Sequence, residues 1–293
     1  MTVTEGRPAS PPEGAASWLP PPSRRMANAA RKAGADSVTA FTGFGRLVSL
    51  SLDATSAAVL DIAGRRFAWR EFFEQAWFLI SVSLLPTIFI AIPFGLVLVL
   101  EVGGLATQIG ATSVVGAVDS IGIVREAAPI ISGILLAGAG GSAICADLGA
   151  RTIRDEIAAM EVMSIDPVAR LVAPRLLATV AVAMLLNGVV AFAGIMSGYF
   201  AAVEILHSSA GGFLESFSAF SQAPDVVESM LKAAVFGAIA AVVASYEGMG
   251  AKRGPAGVGE AVNRSVVITG VALFVANLIL TEIFLVTVPP VVL

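Results

Sequence analysis

Long apolar stretches alternate with short polar zones along this chain, and the alternation predicts helices that cross a bilayer. A hydrocarbon core of about 30 Å needs roughly 20 helical residues. Five segments are apolar over that length, at about 79–101, 121–147, 173–203, 227–247 and 266–289. Pro86 and Pro93 share one face of the first and predict a kink there. The fold class predicted is an all-α membrane protein: five transmembrane helices preceded by interfacial amphipathic and elbow helices.

Three zones precede the first span. Residues 1–35 read as a disordered tail, because Pro8, Pro11, Pro12, Pro20, Pro21 and Pro22 preclude helix and little apolar area offsets ordering entropy. Over 36–63, Val38, Phe41, Val48, Leu52, Thr55, Val59 and Ile62 recur at helical spacing, with Arg46, Ser49 and Asp53 opposite. This predicts an amphipathic helix lying in the membrane interface; the alternative is a helix packed on the domain. Over 65–78, Arg65, Arg66 and Arg70 stand beside Phe67, Trp69, Phe72, Phe73 and Trp77. Basic and aromatic residues together mark headgroup level, so an elbow helix turning into the first span is expected.

Charge sets the orientation. Of 18 Lys and Arg residues, only Arg125 and Lys232 lie outside the zones 1–70, 149–175 and 248–265. The intervening loops, 102–120 and 204–226, contain neither residue type. Basic loops stay on the cytoplasmic side, so the N-terminus is expected there and the C-terminus outside, in the inner (plasma) membrane. Glu228 and Lys232 make the fourth span the weakest of the set. Without it, however, Lys252, Arg253 and Arg264 would face outward.

Composition agrees with a membrane protein. The chain has 293 residues, is 56% hydrophobic and 14% charged, and has a mean hydropathy of +0.85; a soluble domain carries about 25% charge. The net charge of −4, without a basic run, argues against nucleic acid as a partner. A lone Cys145 allows no internal disulfide. The polar, Pro-rich N-terminus lacks the apolar core of a secretory signal.

Several motifs bear on function. The second span carries a ladder of small residues (Gly133, Ala137, Gly138, Gly140, Gly141, Ser142), and the third has Gly194 and Gly198 at GxxxG spacing. Such residues let helices approach closely, within one subunit or between two. Arg125 and Glu126 are adjacent acid and base residues at the outer end of the second span, where ionisable groups face a cavity or pair with another span. Glu101, Glu247 and Glu282 are weaker candidates. In zone 149–175, Thr152 and Asp155 give a T-x-x-D helix start and Asp166–Pro167 a stop, predicting a short amphipathic helix over 152–166. Zone 248–265, rich in glycine, reads as a flexible connector. No GxxxxGK[ST] occurs, so nucleotide binding by this chain is not expected. His207, the one histidine, supports no catalytic or metal arrangement, and the chain is not expected to be an enzyme.

The runs REAAP (125–129), AGAGGS (137–142) and GARTIRDEIAAMEVMSIDPVARLVAPR (149–175) resemble the MlaE/YrbE family, the permease subunits of lipid-transporting ABC systems built around Mce proteins. The resemblance spans about 65–290, and the CADLGARTIR stretch is most similar to the actinobacterial YrbE branch. It implies a pair of permease subunits, identical or related, with a cytoplasmic ABC ATPase dimer below and Mce proteins above. ATP and Mg would bind the ATPase, leaving this chain without a cofactor. The family's coupling helix would be 152–166, with Asp155, Glu156, Met160 and Glu161 facing the ATPase. Its lipid pocket would involve Glu126, Arg125, Leu98, Leu105 and Ile109. The cargo implied is an amphiphile such as a fatty or mycolic acid or a sterol, moved inward. An ion-coupled secondary transporter and a membrane scaffold for a lipid-transfer complex are the alternatives left open by the residues alone.

Overall fold

The structure is a computed structural model that describes residues 45–60, 64, 67–108, 110 and 114–287. The chain divides into two units, Met1–Arg46 and Leu47–Leu293. Of the first, only residues 45 and 46 are described, both helical. The tail expected over 1–35 therefore lies outside the described residues, as do Val38, Phe41 and Ile62 of the expected amphipathic helix.

Among the described residues the fold is all helix. Five helices are long and apolar enough to cross a membrane. We number the helices α1 (45–60), α2 (Trp69–Gln108), α3 (Val115–Ile153), α4 (Glu156–Val162), α5 (Val168–Ile205), α6 (Ala210–Phe220), α7 (Ala223–Met249) and α8 (Pro255–Thr287). The spans are α2, α3, α5, α7 and α8. They alternate in direction. The start of α2, the α3–α5 link and the α7–α8 link gather at one end, where Arg70, Arg151, Arg154, Arg170, Arg175, Lys252 and Arg253 also lie. We call this the basic end.

Burial separates centre from flank. The most apolar window of α3 or α7 is 56% buried and that of α5 44%, against 28% for α2 and 11% for α8. α2 packs along α5, α5 along α7, and α7 along α3 and α8. The outward faces of α2 and α8 carry large apolar side chains such as Phe89, Val97, Val271 and Leu278, as a lipid or subunit contact requires.

Small residues set the closest approaches. A methyl group at Gly95 of α2 would strike the Gly194 carbonyl and Ser197 Oγ of α5. In the α3 ladder, a methyl at Gly133 would lie 3.0 Å from the Phe236 ring of α7, and one at Gly140 2.6 Å from Leu79 of α2. The ladder thus serves packing inside the subunit at these positions. The α3 helix widens to π geometry over Leu136–Gly141, and again over Ser120–Ala127.

Several boundaries differ from the sequence expectation. Residues 69–78 are continuous with the first span: α2 is one 40-residue helix from Trp69, with Pro86 and Pro93 inside it, while 65 and 66 lie outside the described residues. At about 1.5 Å per residue, such a helix is roughly twice as long as a bilayer core is thick. The segment WREFFEQAWF contains no Gly or Pro to turn the chain, so the aromatic cluster of Phe67, Trp69, Phe72 and Phe73 extends the span. On α1, Leu50, Ala54 and Ala58 are buried, the first two against Val172, Leu176, Ala241 and Val242, while Val48, Leu52 and Val59 are exposed. The helix therefore has an apolar face on each side.

The loop expected over 204–226 contains α6, whose Ser209 cap accepts from the Gly212 N–H at 3.2 Å. Phe213 anchors α6 by inserting beside Val115, Ala201 and Ala202. The connector expected over 248–265 is mostly helix, because α8 already begins at Pro255, a favourable first-turn residue.

Candidate functional site

At the end opposite the basic zones, five charged side chains from two helices meet. The π turn of α3 presents Arg125 and Glu126, and such turns, which add one residue to the helical repeat, concentrate at functional sites. α7 supplies Asp225, Glu228 and Lys232. Lys232, 1% exposed, places Nζ 2.8 Å from Glu228 Oε1, 2.9 Å from Glu126 Oε1 and 3.2 Å from the Arg125 carbonyl oxygen. These three acceptors match the three donors of an ammonium group. α8 completes the knot: Asn277 Nδ2 donates to Glu126 Oε2 at 2.9 Å and Thr281 Oγ1 to Glu126 Oε1 at 3.2 Å.

Arg125 turns the other way, with Nη2 2.7 Å from Asp225 Oδ1 and its guanidinium 6.0 Å from the Phe284 ring centroid. Asp225 also closes the N-terminus of α7, accepting from the Gln222 N–H at 2.9 Å in a reciprocal capping box. Two cations against three carboxylates leave the knot one negative charge in excess. Glu126 and Arg125 are its open members, with side chains 37% and 25% exposed; Asp225, Glu228 and Lys232 are all at or below 5%. Arg125 Nε, Glu228 Oε2 and Asn277 Oδ1 are buried without a partner among the described residues. The knot therefore ties α3, α7 and α8 together and retains both donor and acceptor capacity for a polar group.

At the basic end, α3 and α5 are joined through α4. Thr152 does not start that helix. Its hydroxyl donates to the Leu148 carbonyl at 2.9 Å, in the last turn of α3, and lies 3.3 Å from the Gly248 carbonyl oxygen. Asp155 precedes α4 in a left-handed conformation (φ 57°) with no side-chain capping bond, so the helix expected over 152–166 is confined to Glu156–Val162. Asp166 caps the following element, accepting from the Val168 N–H at 2.9 Å. Asp155 and Glu161 are exposed. Glu156 is held by Arg154 at 2.7 Å, and Met160 packs inward on the Ile144, Cys145 and Leu148 cluster. Val162, the last residue of α4, is exposed, and so are Met163 and Ile165 in the turn that follows, where Ser164 has φ 58°.

The family model described as Permease MlaE matches residues 72–283. This chain belongs to the MlaE permease family. A probable ABC transporter permease protein of Synechocystis is 30% identical over 238 residues, 81% of this chain and 90% of that protein. The chloroplastic protein trigalactosyldiacylglycerol 1 of Arabidopsis thaliana is 28% identical over 230 residues, 77% of this chain and 65% of its own. The intermembrane phospholipid transport system permease protein MlaE of Haemophilus influenzae is 26% identical over 202 residues, 69% and 77% respectively.

The remaining positions named from sequence scatter over this MlaE-family permease. Leu98 is half-buried and packs with Ile123, Ala127 and Ile131, beside the turn that carries Arg125 and Glu126. Leu105 is 63% exposed, and Ile109 lies outside the described residues. A separate apolar groove of about 580 Å³ runs between α2 and α5, lined by Ile88, Ile92, Leu96, Phe192, Met196 and Phe200 among others. Sequence reading missed Asp225, Glu228, Lys232, Asn277 and Thr281 as members of the knot. The usable signal was the i,i+4 spacing of Glu228 and Lys232 inside an otherwise apolar span. It also missed Val162, Met163 and Ile165, an apolar run in a zone otherwise rich in charge.

Proposed function

We propose that this chain is the permease subunit of an ATP-driven lipid transporter of the Mce type. Family membership over 72–283 and relatives named as ABC and phospholipid-transport permeases support this reading. The observation that carries it is the thin, outward-facing α4 at the basic end. It buries no residue, ends on exposed Val162 and is followed by exposed Met163 and Ile165. A short element presenting apolar side chains outside the spans is suited to docking a protein partner. On this reading the basic end is cytoplasmic and α4 rests on a separate ATPase dimer, which binds ATP and Mg. Asp155 and Glu161 flank the contact. The opposite end faces the Mce proteins.

A second permease copy or a related chain would cover the outward faces of α2 and α8. The cargo is amphiphilic, its chains held by apolar surface at about 0.8 kcal/mol per buried methylene. Its head would meet Arg125 and Glu126, the open members of the knot. The direction proposed is import, as in the actinobacterial branch that the CADLGARTIR stretch resembles, and the membrane is the plasma membrane.

Affinity purification in mild detergent tests the reading, with identification of co-purifying proteins and extracted lipids. An ABC ATPase, a permease partner and bound lipid are expected. Purification without any ATPase, together with ion-driven transport in ATP-free vesicles, would replace it with a secondary transporter.

A further inference from the structure

α4 makes little packing contact through which to push on the spans: no residue of it is buried, and Met160 is half-buried against the core beneath. A chain of ion pairs runs where packing does not. Arg151, on the last turn of α3, has Nη1 3.9 Å from Glu156 Oε2 of α4 and Nε 3.3 Å from Asp147 Oδ2. Asp147 Oδ2 also accepts from Arg175 Nη2 of α5 at 2.5 Å. The same Nη2 stands 3.5 Å from Glu71 Oε1, in the first turn of α2. Four helices are thus linked through two arginines, Arg151 and Arg175.

The link at Arg175 has the makings of a two-position element. Its side chain is 3% exposed, while Asp147 and Glu71 are 45% and 35% exposed, so a buried cation depends on carboxylates that reach water; leaving such a cation uncompensated is strongly destabilising. Yet one nitrogen serves both acceptors, while Nε and Nη1 are buried with no acceptor among the described residues. Charge-assisted N–H···O bonds close to about 2.7–2.9 Å and favour two parallel contacts from a guanidinium. The 3.5 Å gap to Glu71 is therefore unclosed, and idle donors stand ready to close it.

We propose that Arg175 is a positioning residue that passes displacement of α4 to the start of α2, through Asp147 and Arg151 on one side and Glu71 on the other. The inference rests on the transporter reading above, since it needs an ATPase acting on α4. Movement of α4 shifts Arg151, which competes with Arg175 for Asp147. Release of Asp147 lets the guanidinium fork engage Glu71 and draw α2 along α5.

The test uses the full complex in liposomes and reads lipid moved per ATP hydrolysed. Arg151→Met and Glu71→Gln lie at the two ends of the chain and leave the contact of the buried Arg175 with Asp147 in place. Each is expected to keep the wild-type ATPase rate and to lower the ratio about tenfold, within the usual range of coupling between sites. The double variant is expected to lose no more than either single one, because both break the same path. Losses that multiply in the double variant, a wild-type ratio in either single one, or parallel loss of hydrolysis and transport would each overturn the proposal. If the wild-type complex itself does not couple ATP to lipid movement, the transporter reading fails and this inference falls with it. If wild type couples and Glu71→Gln does too, only this inference fails.

Discussion

Lys232 Nζ reaches Glu126 Oε1 at 2.9 Å, joining α7 to the widened turn of α3 across 106 positions of sequence. The lysine that weakens the fourth span on hydropathy grounds is the residue that fastens it. An ammonium group 1% exposed inside a membrane domain is sustained by three acceptors, two of them carboxylates.

Lys232→Met should therefore destabilise the domain by about 3–5 kcal/mol, because Glu228, 5% exposed, is left as an uncompensated buried charge. Adding Glu228→Gln should recover much of the loss. Thermal unfolding in detergent should rank wild type above the double variant and the double above Lys232→Met. A Lys232→Met protein that melts with the wild type would remove the knot from the account of stability.

The glycines give a paired prediction. A methyl at Gly198 would run into the Asp119 carboxylate, itself wholly buried and without a hydrogen-bond partner among the described residues. Gly198→Ala should cost about 1–3 kcal/mol as overpacking. A methyl at Gly138 meets nothing within 4 Å, so Gly138→Ala should be close to neutral within the isolated subunit. Equal losses in melting temperature for the two would contradict the packing described.

The spans were legible because hydrophobic length and the placement of arginine report directly on the bilayer, whatever the tertiary contacts. Boundaries were less so. Aromatic and basic residues mark membrane depth, yet depth does not bend a helix, and nothing in WREFFEQAWF does, so 69–78 continue into the span. The knot was half legible. Arg125 and Glu126 stand out as neighbours, whereas Asn277 and Thr281 are ordinary polar residues whose role appears only when α8 is laid against α3. Thr152 shows the limit of motif reading: its hydroxyl satisfies carbonyls behind it rather than amides ahead.

Partner docking at α4 makes a graded prediction. Val162 and Met163, 86% and 62% exposed, would be covered by an ATPase, so Val162→Asp with Met163→Asp should abolish its co-purification. Neither side chain supports the fold, and the melting temperature of the permease should stay unchanged. Asp155→Lys with Glu161→Lys should uncouple hydrolysis from lipid movement, while the membrane domain remains folded. Wild-type ATPase binding and lipid transport in both double variants would move the docking surface elsewhere.

Orientation is checked by labelling from one side. Cys145 is buried, and Cys145→Ser leaves a background without thiols. On that background Ser164→Cys, in the exposed turn after α4, marks the basic end, and Ser218→Cys, exposed on α6, marks the other. In intact cells a membrane-impermeant maleimide should modify Ser218→Cys at once and Ser164→Cys only after permeabilisation. The sign follows from charge: basic loops are retained on the cytoplasmic side, and α6 with its flanking turns contains no Lys or Arg. The opposite pattern would put α4 beyond the reach of a cytoplasmic ATPase, and the energy for any lipid movement would then have to enter through another part of the protein.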